Sequence, residues 1–289
     1  MSVHELKNAF TIDVEDYFHV EGFANVIDKS QWDNYPCRVE ANMDKLLDLM
    51  EENNIKGTFF ILGWVAVRYP QIVRNIAEKG HEVASHGMSH QLIYTQDRNV
   101  FRQETLRSKA LLEDISQQSV IGYRAATYSI VNDTLWALDE LVDAGFLYDS
   151  SIFPMRHDRY GIPGINPLPH KIYLSGNRNI TEFPISVVKK AKMTLPVAGG
   201  GYFRLLPYWL TKWGLNEINK DLSEFMFYIH PWEIDVEQPR INDASALSKF
   251  RHYLNINKSE SRLKKLFNDF KLTTMKEVLK NKGLLSDVV

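Results

Sequence analysis

Ala9-Phe10-Thr11-Ile12-Asp13-Val14-Glu15-Asp16 is a short apolar run that reads as a β-strand and ends in carboxylates. The same design, an apolar strand delivering a polar side chain at its end, recurs through the chain. Thr58-Phe59-Phe60-Ile61-Leu62, introduced by Gly57, reads as a second strand, and Glu82-Val83-Ala84 as a third, followed at once by Ser85-His86-Gly87-Met88-Ser89-His90. Val120-Ile121-Gly122-Tyr123 ends at Arg124, Phe146-Leu147-Tyr148 ends at Asp149, and Phe225-Met226-Phe227-Tyr228-Ile229 delivers His230. Helical periodicity fills the intervals. It runs from about Glu40 to Glu52 with Met43, Leu46, Leu47 and Met50 on one face, and from Pro70 to a stop at Gly80 with Ile72, Val73 and Ile76 inward. It resumes from Arg98 to Ile115, and then from a cap at Asn132 or Asp133 through Ala144-Gly145. Strands alternating with helices predict parallel strands around or across one sheet.

From Phe153 to Pro207 the pattern changes to a Pro- and Gly-rich stretch with short strands such as Ile180-Thr181-Glu182-Phe183. A segment of that length is too long for one structureless loop, and it reads as an elaboration of the barrel. Gly199-Gly200-Gly201 is no phosphate loop, because no Lys-Ser/Thr follows and no helical pattern begins there; it suits a close backbone approach. Two helices, near Ala244–Leu254 and Ser259–Phe270, close the chain. The expectation is one domain over residues 1–289, with a barrel over about 9–235 and a C-terminal helical extension over about 240–289.

The 289 residues carry a formal net charge of −2 with no basic block, which argues against a nucleic-acid partner. Cys37 is the sole cysteine, so an internal disulfide is impossible. Residues 1–7 hold no apolar signal-peptide core and no run is long enough to span a bilayer, so the sequence reads as cytoplasmic.

The placement of polar residues carries the chemistry. Asp13, His86, Arg124, Asp149 and His230 each follow directly on a predicted strand, and in a parallel α/β barrel all such ends open onto one face. His86 and His90, four residues apart, face the same way on one helical turn, and a carboxylate from Glu15 or Asp16 would complete three ligands with an open position for water. A second acid could take a proton from the activated water, Arg124 would hold that acid ionised, and His230 could protonate a leaving group. The set specifies attack of water on an acyl or similar carbon.

These residues also carry a resemblance. Thr11-Ile12-Asp13-Val14-Glu15-Asp16, Ser85 to His90, Gly122-Tyr123-Arg124-Ala125, Tyr148-Asp149-Ser150-Ser151 and Tyr228-Ile229-His230-Pro231-Trp232-Glu233 are similar, in order, to the motifs of the NodB-type polysaccharide deacetylases, carbohydrate esterase family 4. His157-Asp158-Arg159-Tyr160-Gly161-Ile162-Pro163 and the C-terminal tail resemble the branch associated with exopolysaccharide and O-antigen gene clusters. The resemblance implies a deformed (β/α) barrel that removes acetyl groups from N-acetylated saccharides, polymeric, lipid-linked or nucleotide-linked, with a divalent metal, zinc by default. It matches Asp13 to the general base, His86 and His90 to metal ligands, Arg124 to the residue positioning the base, and His230 to the general acid. Two departures stand out. Val14 separates Asp13 from Glu15, so either Glu15 or Asp16 is the third ligand, and strand alternation favours Glu15. Ala126 stands where the arginine motif usually has proline.

Tyr128, Asp149 and Trp232 are the candidate substrate contacts, with a backbone N–H near Tyr128 as an oxyanion donor; Asp149 could equally cap a turn with Ser150 and Ser151 or orient a catalytic histidine. Trp64, Tyr202 and Phe203 read more simply as core, His19, His157 and His170 as structural histidines, and His81 and His252 as incidental. Two other readings keep the fold: a metal-independent amidohydrolase acting on a small amide, and a catalytically inactive carbohydrate-binding protein.

Overall fold

The computed structural model describes residues 6–157, 160–190, 193–220 and 223–286. The strands are β1 (Asn8–Val14), β2 (Thr58–Ile61), β3 (Glu82–Ser85), β4 (Gly122–Tyr123), β5 (Tyr148–Asp149), β6 (His170–Tyr173), β7 (Asn179–Glu182), β8 (Val187–Lys190), β9 (Met193–Pro196), β10 (Met226–Ile229) and β11 (Leu272–Thr273). The α-helices are α1 (Val39–Glu52), α2 (Gly63–Arg68), α3 (Pro70–Glu78), α4 (Arg98–Ser116), α5 (Trp136–Asp143), α6 (Gly200–Leu205), α7 (Tyr208–Lys220), α8 (Ala246–Tyr253), α9 (Ile256–Asp269) and α10 (Met275–Asn281).

The main sheet runs β10-β1-β2-β3-β4-β5-β7-β6, with β11 also on β1. Every pairing in it is parallel except β6 on β7. The parallel pairing is what the βα alternation predicts, and the deformed (β/α) barrel is the one that the resemblance implies. Strand β1 is buried along its whole length, so its two faces pack two different layers. Phe10, Ile12 and Val14 face the surrounding helices with Met43, Leu46, Phe59 and Ile61, whereas Ala9 joins Phe60, Ala84, Tyr148 and Met226 in the barrel interior. Thr11 and Asp13 share the interior parity with Ala9. Gly122 makes room there, since a Cβ would stand 2.1 Å from the Tyr148 ring.

Several elements depart from the sequence reading. No helical turn holds His86 and His90; residues 86–90 form a loop. Asn132 begins a short 3₁₀ turn (Asn132–Thr134), and α5 starts later with no side-chain cap. A helix does begin at the glycine run, because α6 starts at Gly200. The close approach expected of those glycines is present: a Cβ on Gly199, whose φ is +126°, would lie 1.9 Å from the Tyr228 carbonyl oxygen.

The C-terminal residues are more than a helical appendage. β11 pairs with the start of β1, and α10 puts Met275, Val278 and Leu279 into the barrel interior. The N-terminus of α10 is tied down by Met275 N donating to Thr58 Oγ1 at 2.8 Å and Lys276 N donating to Glu82 Oε2 at 3.0 Å. Among the described residues no helix is long and apolar enough to cross a membrane.

Candidate active site

β1 brings Asp13 to the strand end, with Glu15 one residue beyond it, both almost fully buried. Arg124, just past β4, reaches across with Nη1 to donate to Asp13 Oδ1 at 2.6 Å and to Thr11 Oγ1 at 2.9 Å. Its Nε and Nη2 donate to Ser150 O at 3.1 Å and Ser150 Oγ at 3.0 Å, so the guanidinium cannot swing away from the carboxylate. Arg124 has no solvent exposure, and the Asp13 charge beside it offsets the burial and keeps it ionised.

Glu15, His86 and His90 form the one group of metal-ligand type among the described residues, with a donor atom from each lying within 4.8 Å of the others. His86 Nδ1 stands 2.9 Å from the Arg124 carbonyl oxygen and donates to it, which leaves the Nε2 lone pair free. Burial pushes the His86 imidazole down to about 4, so the ring is neutral and able to ligate. His90 Nε2 approaches Glu15 Oε2 to 2.8 Å, yet that buried oxygen has no aligned hydrogen-bond donor. Burial opposes ionisation of Glu15, but the His90, His230 and His86 imidazoles outweigh it and hold the carboxyl well below its usual range. An ionised carboxylate with an orphaned oxygen beside a neutral imidazole fits a divalent cation of zinc type.

A loop of unusual backbone sets the imidazoles. Gly87 has φ +74° and His90 has φ +53°. Gly63 N and Trp64 N, at the start of α2, donate to Gly87 O and Met88 O at 2.9 Å each. Lys29 Nζ donates to Ser89 O at 3.0 Å and His90 O at 2.9 Å. Lys29 carries no sequence signal for this role.

Asp16 stands outside the cluster. Its Oδ1 accepts from Tyr17 N at 2.8 Å, and its Oδ2 from Cys37 Sγ at 3.1 Å, Arg38 N at 2.6 Å and Val39 N at 2.9 Å. These bonds anchor the first turn of α1, so of the two carboxylates left open only Glu15 meets the imidazoles.

His230, past β10, points Nε2 at the same place, 3.9 Å from Asp13 Oδ2 and 3.5 Å from Glu15 Oε1. Its Nδ1 donates to Glu233 Oε1 at 2.7 Å. Burial would lower the imidazole, but Glu15, Glu233 and Asp13 overcome it and raise His230 to about 9, so the ring is a cation at neutral pH. Glu233, three residues on, and Arg204 behind it were missed in the sequence; the His-x-x-Glu spacing is the only trace of the first, and nothing marks the second.

The candidate substrate contacts fare unevenly. Trp232 is 4% exposed and lies between the His230 ring at 5.0 Å and the His252 ring at 4.2 Å, both near parallel, which orders the His230 ring rather than offering a face to a sugar. His252 is therefore not incidental. Asp149 has no exposure and faces inward, accepting from Ser151 Oγ at 2.6 Å, so direct contact with a saccharide is closed to it. Tyr128 sits beside Arg124 with its hydroxyl buried and unpartnered. Its own backbone N–H donates to Ala125 O at 3.1 Å, closing a turn in which Thr127 and Tyr128 both hold positive φ. The oxyanion donor expected near Tyr128 is therefore not that N–H. Two successive left-handed non-glycine residues store strain at a site edge. Within the resembling stretch after Phe153, Asp158 and Arg159 lie outside the described residues.

Residues 30–146 match the polysaccharide deacetylase family model. Over that stretch the chain is similar to the polysaccharide deacetylases. Residues 150–280 match a domain of unknown function, DUF3473. The first matched stretch supplies His86, His90 and Arg124; Asp13 and Glu15 precede it, and Arg204, His230 and Glu233 come from the second. The chain is 29% identical over 97 residues to the peptidoglycan-N-acetylglucosamine deacetylase of Bacillus cereus, covering 33% of this chain and 35% of that protein. It is 28% identical over 122 residues to the chitooligosaccharide deacetylase of Sinorhizobium fredii, covering 42% of this chain and 56% of that protein. It thus spans about a third to a half of those relatives. The fold matches a polysaccharide deacetylase structure from Mycobacterium smegmatis with TM-score 0.62 at 18% identity, over 97% of this chain and 92% of that one. Puue allantoinase matches with TM-score 0.61 at 12% identity, over 97% and 91%. Both likenesses are of fold, the deformed barrel.

Proposed function

We propose that the chain is a metal-dependent hydrolase that removes N-acetyl groups from an amino sugar of a bacterial polysaccharide or its precursor. The observation that carries this reading is the convergence of Glu15, His86 and His90 with an arginine-anchored carboxylate, Asp13, and a cationic His230 aimed at the same point. A divalent cation held by Glu15, His86 and His90 would polarise the acetamide carbonyl and acidify the attacking water. Asp13 accepts the water proton on Oδ2, since Oδ1 is engaged by Arg124. Its ion pair prevents the carboxylate from rotating during the transfer. His230 gives its Nε2 proton to the departing nitrogen, so the C–N bond breaks, the acyl carbon gains oxygen as acetate, and the sugar leaves as an amine.

The peptidoglycan and chitooligosaccharide deacetylases among the relatives support an N-acetylated saccharide as substrate. The resemblance of His157 to Pro163 and of the C-terminal tail to the exopolysaccharide and O-antigen branch supports a glycan precursor within that class.

The test is acetate release by the zinc- or cobalt-loaded protein from chitooligosaccharides, peptidoglycan fragments, and lipid- and nucleotide-linked N-acetyl sugars. Release is expected from at least one of them, with Asp13→Ala and His230→Ala slower by about 10²–10⁴-fold. Wild-type rates in both variants, or no release from any substrate, would overturn the reading.

A further inference from the structure

The ring of His230 is held by a chain of buried groups that reach no solvent and no substrate. Glu233 Oε1 accepts from His230 Nδ1 at 2.7 Å and from His230 N at 3.1 Å, fixing both the ring and the backbone it hangs from. The other oxygen, Oε2, accepts from Arg204 Nε at 2.7 Å, and both side chains are only 2–3% exposed. Arg204 Nη1 then donates to Arg251 O at 3.0 Å, to His252 O, and to Leu254 O at 3.4 Å. Those are carbonyls at the end of α8, which lack helical partners and carry the partial negative charge of a helix C-terminus.

The grip is reciprocal. Asn255 Nδ2 donates to the Arg204 carbonyl at 2.9 Å, and Arg262 Nη1 donates to it at 3.0 Å. The His230/Trp232/His252 stack ties the same two regions together by ring contact. Burying an arginine–glutamate pair costs desolvation that apolar side chains of equal volume would avoid, so stability alone is a poor reason for it. Orientation is a better one, because Glu233 as acceptor keeps a proton on Nδ1 and turns Nε2 toward Asp13.

We infer that Arg204 is a positioning residue for His230: it fixes Glu233, Glu233 fixes the imidazole, and its hold on the end of α8 makes residues beyond 240 part of the proton donor. This rests on His230 acting as the acid in the reaction proposed above. It also gives the segment of unknown function a task in that reaction, since Arg204, His230, Glu233 and α8 all belong to it.

The experiment compares zinc-loaded full-length wild type with Arg204→Met, Arg204→Lys, Glu233→Gln and His230→Gln. Arg204→Met and Glu233→Gln are expected to lower kcat by about 10–100-fold with KM within about twofold and zinc content unchanged, and Arg204→Lys to fall between them and wild type. A low-field proton resonance of His230 Nδ1–H is expected in wild type, and it is expected to move upfield or broaden in Arg204→Met. Wild-type kcat together with a wild-type resonance in Arg204→Met overturns the inference. If Arg204→Met does not fold, the near-isosteric Glu233→Gln and Arg204→Lys decide by the same two readouts. Should wild type release no acetate, or His230→Gln match it, the acid assignment fails, and the resonance still decides whether Arg204 positions the ring.

Discussion

At Glu15 and Asp16, two adjacent carboxylates do opposite work because the chain turns between them. Asp16 accepts four donors at the start of α1, while Glu15 keeps one buried oxygen without a donor among the imidazoles. Glu15→Gln is therefore expected to weaken zinc binding by about 10²-fold or more in a competitive chelator titration. Asp16→Asn is expected to bind zinc normally but to unfold about 1–3 kcal/mol more easily in urea, having lost acceptors for buried donors. Equal zinc affinity in the two variants would refute this division. Asp149 and Glu182 are a second pair of carboxyls, both without solvent exposure. Burial raises Glu182 well above its ordinary value, and burial also raises Asp149, to about 6. A folded value above the unfolded one means this contribution to stability is complete below about pH 4 and is lost as pH rises through 6. The loss is on the order of 2–3 kcal/mol. Asp149→Asn should remove that slope from the wild-type curve of unfolding free energy against pH. A retained slope in Asp149→Asn would refute the assignment.

At the scale of elements, the stretches that miss their sequence reading are those where backbone conformation is imposed by a neighbour. Four-residue spacing made His86 and His90 look like a helical turn. In the fold, positive φ at Gly87 and His90 and the donors of Gly63, Trp64 and Lys29 hold a loop that gathers the rings instead. Likewise Gly199-Gly200-Gly201 has poor helix propensity, yet α6 starts there because only glycine lets the chain lie against the Tyr228 backbone. Gly199→Ala combines a left-handed backbone with a Cβ 1.9 Å from a carbonyl oxygen. It should cost at least about 1–3 kcal/mol in thermal or urea unfolding and slow acetate release by displacing β10, which carries His230. A variant of wild-type stability and activity would show that the contact is dispensable.

Taken as a whole molecule, the barrel draws both ends of the chain into one body. β1 is flanked by β10 and β2 and is also paired with β11, while α10 fills the interior from the end opposite the site. A ligand that binds only the folded form stabilises all of it by mass action, so zinc at about 100 times its Kd should add roughly 2.7 kcal/mol to unfolding. Prior chelation should remove both that gain and acetate release, with activity restored by zinc. A melting temperature indifferent to zinc in wild type but not in His86→Ala would contradict the Glu15–His86–His90 site.

The residues legible from sequence were those whose role follows from position on a strand. Asp13, His86, Arg124 and His230 each follow a short apolar run, and parallel strands in one barrel must open together, so periodicity alone brought them to one face. Tertiary structure decided everything that depends on a partner remote in the chain. It separated Glu15 from Asp16, turned Trp232 and Asp149 inward, and set Arg204 and Glu233 behind His230. The division of Glu15 from Asp16 and the placing of Arg204 rest on hydrogen bonds between groups tens of residues apart, as between Asp16 and Arg38 or Arg204 and His252, which no local pattern encodes.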